Sequence, residues 1–210
     1  MLTMRTNAIK AGAVLGAVAA LLFAGQAQAA TTISSGHVDA LAFTYDDTAN
    51  ALGIEVHDET GNAVYDPADV LFDVHSGHLV NRPGADACKF DAGDNWVLPR
   101  TETAGLIWAG WSTEELDLAD FGGSLQVELV DAATPTGGNV SVFDATTGAV
   151  RFHTDPACNA SGTAVTESHH HPTWVFTEPG TYALTFQASG THAVDGAVTS
   201  AEVTYTFDVG

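Results

Sequence analysis

The sequence predicts an all-β protein: an Ig-like antiparallel β-sandwich preceded by a cleaved signal-peptide helix. Three observations carry the expectation. Apolar and polar residues alternate with a period of two toward the C-terminus, Gly and Pro punctuate the chain at short intervals, and helical periodicity is almost absent beyond the leader.

The leader comes first. Arg5 and Lys10 precede a small and apolar run from Ala11 to Ala24, and Gly25-Gln26-Ala27-Gln28-Ala29-Ala30 offers an Ala-x-Ala cleavage site after Ala29. The run is shorter than the roughly 20 residues of a spanning helix. Residues 1–29 are therefore expected to be a secretory signal peptide, and 30–210 one domain with no membrane span after processing. No Cys follows the apolar run for lipid attachment.

The strands follow in order. Candidates are Val38–Tyr45, Ala51–His57, Val70–Val74, Trp96–Pro99, Leu106–Trp108, Ser124–Val130, Asn139–Asp144 and Ala149–His153. One helical turn is expected over Ser112–Leu118, with Ser112 as cap and Glu115 at the third position. The clearest strands are the last two. After the Pro179-Gly180 turn signal, Tyr182, Leu184 and Phe186 alternate with Ala183, Thr185 and Gln187. Beyond a Ser189–Gly196 connection, Val203, Tyr205 and Phe207 alternate with Thr204, Thr206 and Asp208. That period belongs to half-buried antiparallel strands.

Charge and cysteines bound the function. Six basic residues stand against 26 acidic ones, a net charge of −20. Cleavage removes Arg5 and Lys10 and no acid, so the exported part is more acidic still. Such a balance excludes nucleic acid and anionic lipid, which require Lys and Arg clusters. It suits cations, basic surfaces and solubility outside the cell. Cys88 and Cys158 are the only cysteines, and in an exported chain they are expected to form one disulfide.

Nine histidines are unusual beside so few basic residues: His37, His57, His75, His78, His153, His169, His170, His171 and His192. On a strand, residues two apart share a face with Cα atoms about 6.5–7 Å apart. His169 and His171 are thus able to meet one metal ion while His170 faces away. Imidazole ligates zinc, copper, iron and nickel, and the carboxylates supply further ligands. Affinity is expected to fall as pH drops through about 6.5, where imidazoles protonate. Trp96, Trp108, Trp111 and Trp174 are read first as core; the alternative is an aromatic platform for a sugar or other ligand, with Trp111 and Trp174 as its candidates. Neither a nucleophile elbow nor a His-Glu-x-x-His helix is present, so no catalytic residue is expected and the protein is not read as an enzyme.

Several segments together carry a family resemblance. They are Gly36-His37-Val38-Asp39, Trp96-Val97-Leu98-Pro99, Ile107-Trp108-Ala109-Gly110-Trp111-Ser112-Thr113, and His169-His170-His171-Pro172-Thr173-Trp174-Val175-Phe176-Thr177 running on into Glu178-Pro179-Gly180-Thr181-Tyr182. With the closing Thr206-Phe207-Asp208-Val209-Gly210, they make the chain similar to the choice-of-anchor M domain of actinobacterial surface-anchored proteins, associated with anchored-repeat-type metal ABC transporters. The resemblance implies an extracytoplasmic β domain whose partners are components of a metal ABC importer or the cell wall. Two departures stand out. The sequence stops at Gly210 directly after the last expected strand, so no C-terminal anchor is expected, and Leu98-Pro99-Arg100-Thr101-Glu102 sits mid-domain and is not read as a sortase signal. The cysteine pair lies outside the family pattern.

The resemblance makes His37 the first choice of third ligand. Asp39 shares its face if the segment is extended. His75 and His78, a His-x-x-His around Gly77, rank next, and His57 after them. The expected function is a secreted or cell-surface protein that binds a divalent metal, zinc first and manganese second, as an accessory to import. The alternative is a surface adhesin or a glycan- or protein-binding module without metal.

Overall fold

The structure, a computed structural model, describes residues 30–210. The signal peptide expected over 1–29 lies outside the described residues. In chain order the strands are β1 (Thr31–Ile33), β2 (Gly36–Asp46), β3 (Ala51–Asp58), β4 (Ala63–Tyr65), β5 (Val70–Val74), β6 (Leu79–Arg82), β7 (Gly93–Leu98), β8 (Ile107–Glu115) and β9 (Leu125–Ala133). They continue as β10 (Val140–Phe143), β11 (Val150–His153), β12 (Gly162–Val165), β13 (His169–His170), β14 (Thr173–Phe176), β15 (Gly180–His192), β16 (Gly196–Thr199) and β17 (Val203–Val209). The only helices among the described residues are short 3-10 turns.

The strands build three sheets packed as a sandwich. A seven-stranded sheet has the order β1-β5-β17-β15-β9-β12, with β16 on β15. Two five-stranded sheets face it, one ordered β11-β10-β14-β7-β6 and the other β13-β8-β2-β3-β4. Most pairings are antiparallel, as expected, but β1 with β5, β5 with β17 and β2 with β8 run parallel. Parallel neighbours need long crossovers between them, which no local pattern announces.

Period-two alternation places the core. Tyr182, Leu184, Phe186 and Ala188 on β15 and Tyr205, Phe207 and Val209 on β17 are buried, with more accessible residues between them. They meet Trp174 and Phe176 of β14, whose rings lie 5.1 to 6.3 Å from those of Tyr182, Phe186 and Phe207. Trp111 of β8 joins through Phe152 of β11, so one apolar core serves all three sheets. Truncating a ring such as Phe176 to Ala in this setting costs about 3–5 kcal/mol. Tyr182 donates from its hydroxyl to the Glu178 carbonyl at 2.7 Å, the tyrosine corner of Ig-like sandwiches.

Two local readings are corrected. Ser112–Leu118 forms no helix: β8 runs through to Glu115, and Asp117 caps a 3-10 turn, Leu118–Phe121, instead. Alternation with β2 wins because Ile107, Ala109 and Trp111 are buried in the core. The Ser189–Gly196 connection is mostly strand, since β15 continues to His192 and turns directly into β16.

The Cys88–Cys158 disulfide is formed, with Cα atoms 5.6 Å apart. It ties the segment between β6 and β7 to the turn after β11. That segment brings Phe90 onto Val97, Phe143 and Val175, a small second cluster on the outer face of the β14 sheet.

Candidate metal centre

The first half of the site comes from β2. Val38, between His37 and Asp39, points into the core, so His37 and Asp39 share the outer face. A bulge follows Asp39: pairing with β8 steps from Asp39 opposite Gly110 to Leu41 opposite Trp111. Leu41 and Phe43 thereby return to the core without turning the acid inward.

The second half comes from β13, on the other side of β8. His169 pairs with Ser112 and His170 with Trp111, which leaves His171 beside Gly110. Strands two apart in a sheet are separated by about 9.5 Å, too far for most side chains to meet across an occupied middle strand. Gly110 removes the obstacle. A Cβ there would lie 2.6 Å from His171 Cε1 and Nδ1 and 2.7 Å from the His170 carbonyl. The ring of His171 passes over this glycine and stacks on Trp108, with centroids 3.7 Å apart and planes 15° from parallel. Trp108 is itself held by its Nε1–H, which donates to the Arg100 carbonyl at 3.0 Å. Pro172 then separates β13 from β14, which continues in a different sheet and carries Trp174 into the core.

Four ligand atoms converge as a result. The Nε2 atoms of His37, His169 and His171 form a triangle with 3.1 Å edges. Asp39 Oδ1 caps it at 2.8 Å from His169, 3.6 Å from His37 and 3.9 Å from His171. A regular tetrahedral shell with metal–ligand bonds near 2.05 Å has edges of about 3.3–3.4 Å. The four residues together have the composition and spacing to hold one metal ion.

Hydrogen bonding does not account for the triangle. Each Nε2 bears either a proton or a lone pair. Among three such atoms at least two are alike, so at least one 3.1 Å contact sets donor against donor or acceptor against acceptor. A cation at the centre satisfies all three lone pairs at once.

Burial grades the ligands. Side-chain exposure is 2% for Asp39 and 7% for His171, but 23% for His37 and 31% for His169. The centre is anchored on its inner side and reachable from outside. Burial, and then the rings of His169 and His37, push His171 down to about 3, against a smaller opposing effect of the Ala109 backbone. Its imidazole is neutral at neutral pH, as a metal ligand must be. Its Nδ1 is buried and makes no hydrogen bond of good geometry.

The remaining candidates lie elsewhere. His57 sits opposite Asp39 on β3 but pairs with Glu55 at 3.3 Å. His75 accepts from the Gly77 amide and contacts the Gly105 carbonyl. His78 is buried between Val97 and Ile107. These three are not ligands of the cluster. The aromatic platform is also corrected: Trp111 and Trp174 are each 1% exposed and present no surface to a ligand, because both faces of the sandwich draw on them for core. Gly110 and Trp108 are the residues that sequence reasoning missed. The signal was present in the run Trp108-Ala109-Gly110-Trp111, where a glycine sits inside a strand between two tryptophans.

Sequence comparison matches the chain to no family model and to no curated protein, and structural comparison matches it to no solved structure.

Proposed function

We propose that this chain is an exported protein that binds one divalent transition metal ion through His37, His169, His171 and Asp39, with zinc the preferred ion. The observation that carries the reading is the 3.1 Å triangle of Nε2 atoms closed by the buried Asp39 carboxylate. Three imidazoles and one carboxylate at tetrahedral spacing suit zinc. Manganese, which favours oxygen donors, ranks second.

The setting supports a role at the cell surface. The leader, the disulfide and the acidic composition all suit an extracytoplasmic protein. Among the described residues no helix is long and apolar enough to cross a membrane. Partial exposure of His37 and His169 suits an ion that is taken up and handed on. The likeness to choice-of-anchor M domains supports an accessory role beside a metal ABC importer, by binding rather than catalysis.

Metal analysis of the exported protein tests the reading. After incubation with zinc and removal of excess, one equivalent is expected, and none in a His169→Ala/His171→Ala variant that keeps its thermal unfolding. A wild-type protein that retains no zinc, manganese or other divalent ion overturns it.

A further inference from the structure

We infer that the metal centre offers a further coordination position, and that a small carboxylate-bearing molecule occupies it with its other side held by Arg100. The inference rests on the metal reading and adds a ligand class to it.

A cavity of about 350 Å³ opens beside the cluster, lined by His169, His171, Trp108, Arg100, Thr146 and His170 among others. Of the four ligands it borders His169 and His171, and neither His37 nor the buried Asp39. Its volume lies in the range of small-molecule sites. Zinc and related ions expand from four to five ligands when such a position is open.

Charge identifies the occupant. In a chain of net charge −20, basic side chains are expected to be claimed by acids. Lys89 pairs with Asp86 at 3.1 Å, Arg151 approaches Asp144 at 3.8 Å, and Arg82 lies 4.8 Å from the Phe90 ring centroid. Arg100 alone among the basic side chains of the described residues has neither a carboxylate nor an aromatic ring as partner. Its Nη1 donates to Thr146 Oγ1, which fixes the guanidinium on the cavity wall and leaves further N–H groups for a ligand. Asp144, the acid of the same wall, does not compete for it. Asp144 Oδ1 already accepts from the Thr146 and Thr147 amides, and Arg151 stands at Oδ2. The ring of His170 completes the wall, and its buried Nε2 has no hydrogen-bond partner.

A cation on one side and a guanidinium on the other select an anion. The planar fork of arginine matches a carboxylate. One carboxylate oxygen then binds the metal while the group accepts hydrogen bonds from Arg100.

The test uses cobalt(II)-loaded protein, whose visible absorption reports coordination number, titrated with acetate and separately with neutral acetamide. Acetate is expected to lower the d–d intensity saturably as the ion passes from four to five ligands, and acetamide to leave it unchanged. Arg100→Ala and Arg100→Gln should raise the acetate midpoint by about tenfold or more with cobalt stoichiometry unaltered. Bound cobalt without an acetate response, or equal midpoints in wild type and both variants, overturns this inference alone. Failure to bind cobalt overturns the metal reading as well.

Discussion

The Nε2 atoms of His37 and His171 lie 3.1 Å apart, although 134 positions separate the residues and β8 runs between their strands. The meeting depends on a side chain that is missing. At Gly110 the His171 ring occupies the volume a methyl group would take.

Gly110→Ala is therefore expected to weaken zinc binding by about tenfold or more, through a displaced His171. Overpacking of this kind costs about 1–3 kcal/mol of stability. Competition with a chromophoric chelator measures the first effect and urea unfolding of the metal-free protein the second. An unchanged zinc affinity in the variant contradicts the role given to the glycine.

Trp108 stacks on His171 and lies 4.6 Å from the His37 ring, so it packs against two of the candidate ligands. Trp108→Leu should reduce zinc affinity by about 0.5–1.5 kcal/mol, the value of an aromatic stack beyond its area. Zinc should also change the tryptophan emission of the wild type. Trp111 and Trp174 are buried in the core and Trp96 lies on β7 in another sheet, and none of them stacks on a ligand ring. The change should therefore be largely lost in Trp108→Leu; an equal change in both proteins contradicts it.

Legibility followed the range of the interactions. Val70–Val74 was readable to the residue, and β15 and β17 were plain, because alternation on one buried face is a local signal. The short strands β1, β4, β6, β12 and β16 were not, since three or four residues carry no period and partners far along the chain define them. The same holds for the site. His169 and His171 were legible from their spacing, and His37 from a resemblance. Asp39 ranked lower, because one acid among 26 says little until the bulge of β2 holds it under the triangle. His75 and His78 had ligand-like spacing, but backbone groups claim their ring nitrogens.

The disulfide should matter to stability and not to metal. It closes a separation of 70 residues, for which loop entropy gives about 4 kcal/mol. It secures the segment bearing Phe90 over Val97 and Val175, in a different sheet from the ligands. Cys88→Ser/Cys158→Ser is expected to unfold at lower temperature and to be cut by protease between β6 and β7, while retaining one equivalent of zinc. Loss of zinc from the folded variant contradicts this separation.

His78 should make the metal-free protein sensitive to acid. It bridges β7 and β8: its Nδ1–H donates to the Val97 carbonyl at 2.9 Å, and its Nε2 accepts from the Ile107 amide at 3.3 Å. Acceptance at Nε2 requires the neutral ring, because a protonated imidazole is a donor at both nitrogens. Burial pushes its pKa below the usual imidazole range; the Val97 carbonyl and Asp73 oppose the shift and His75 adds to it. The unfolded chain protonates the same residue near pH 6.5, so below that pH the unfolded state binds more protons. Stability is then full above about 6.5 and declines with falling pH toward the folded pKa, by at most about 1.4 kcal/mol per pH unit for one such group. His153 and His171 are lowered as well and act in the same direction. His78→Asn keeps a donor for Val97 but strands the Ile107 amide. It is expected to cost about 1–3 kcal/mol at pH 8 and to leave a shallower decline between pH 6.5 and 5. Urea unfolding with chelator present, at each pH, measures both quantities. Parallel pH profiles for wild type and variant would show that the proton uptake belongs to other groups.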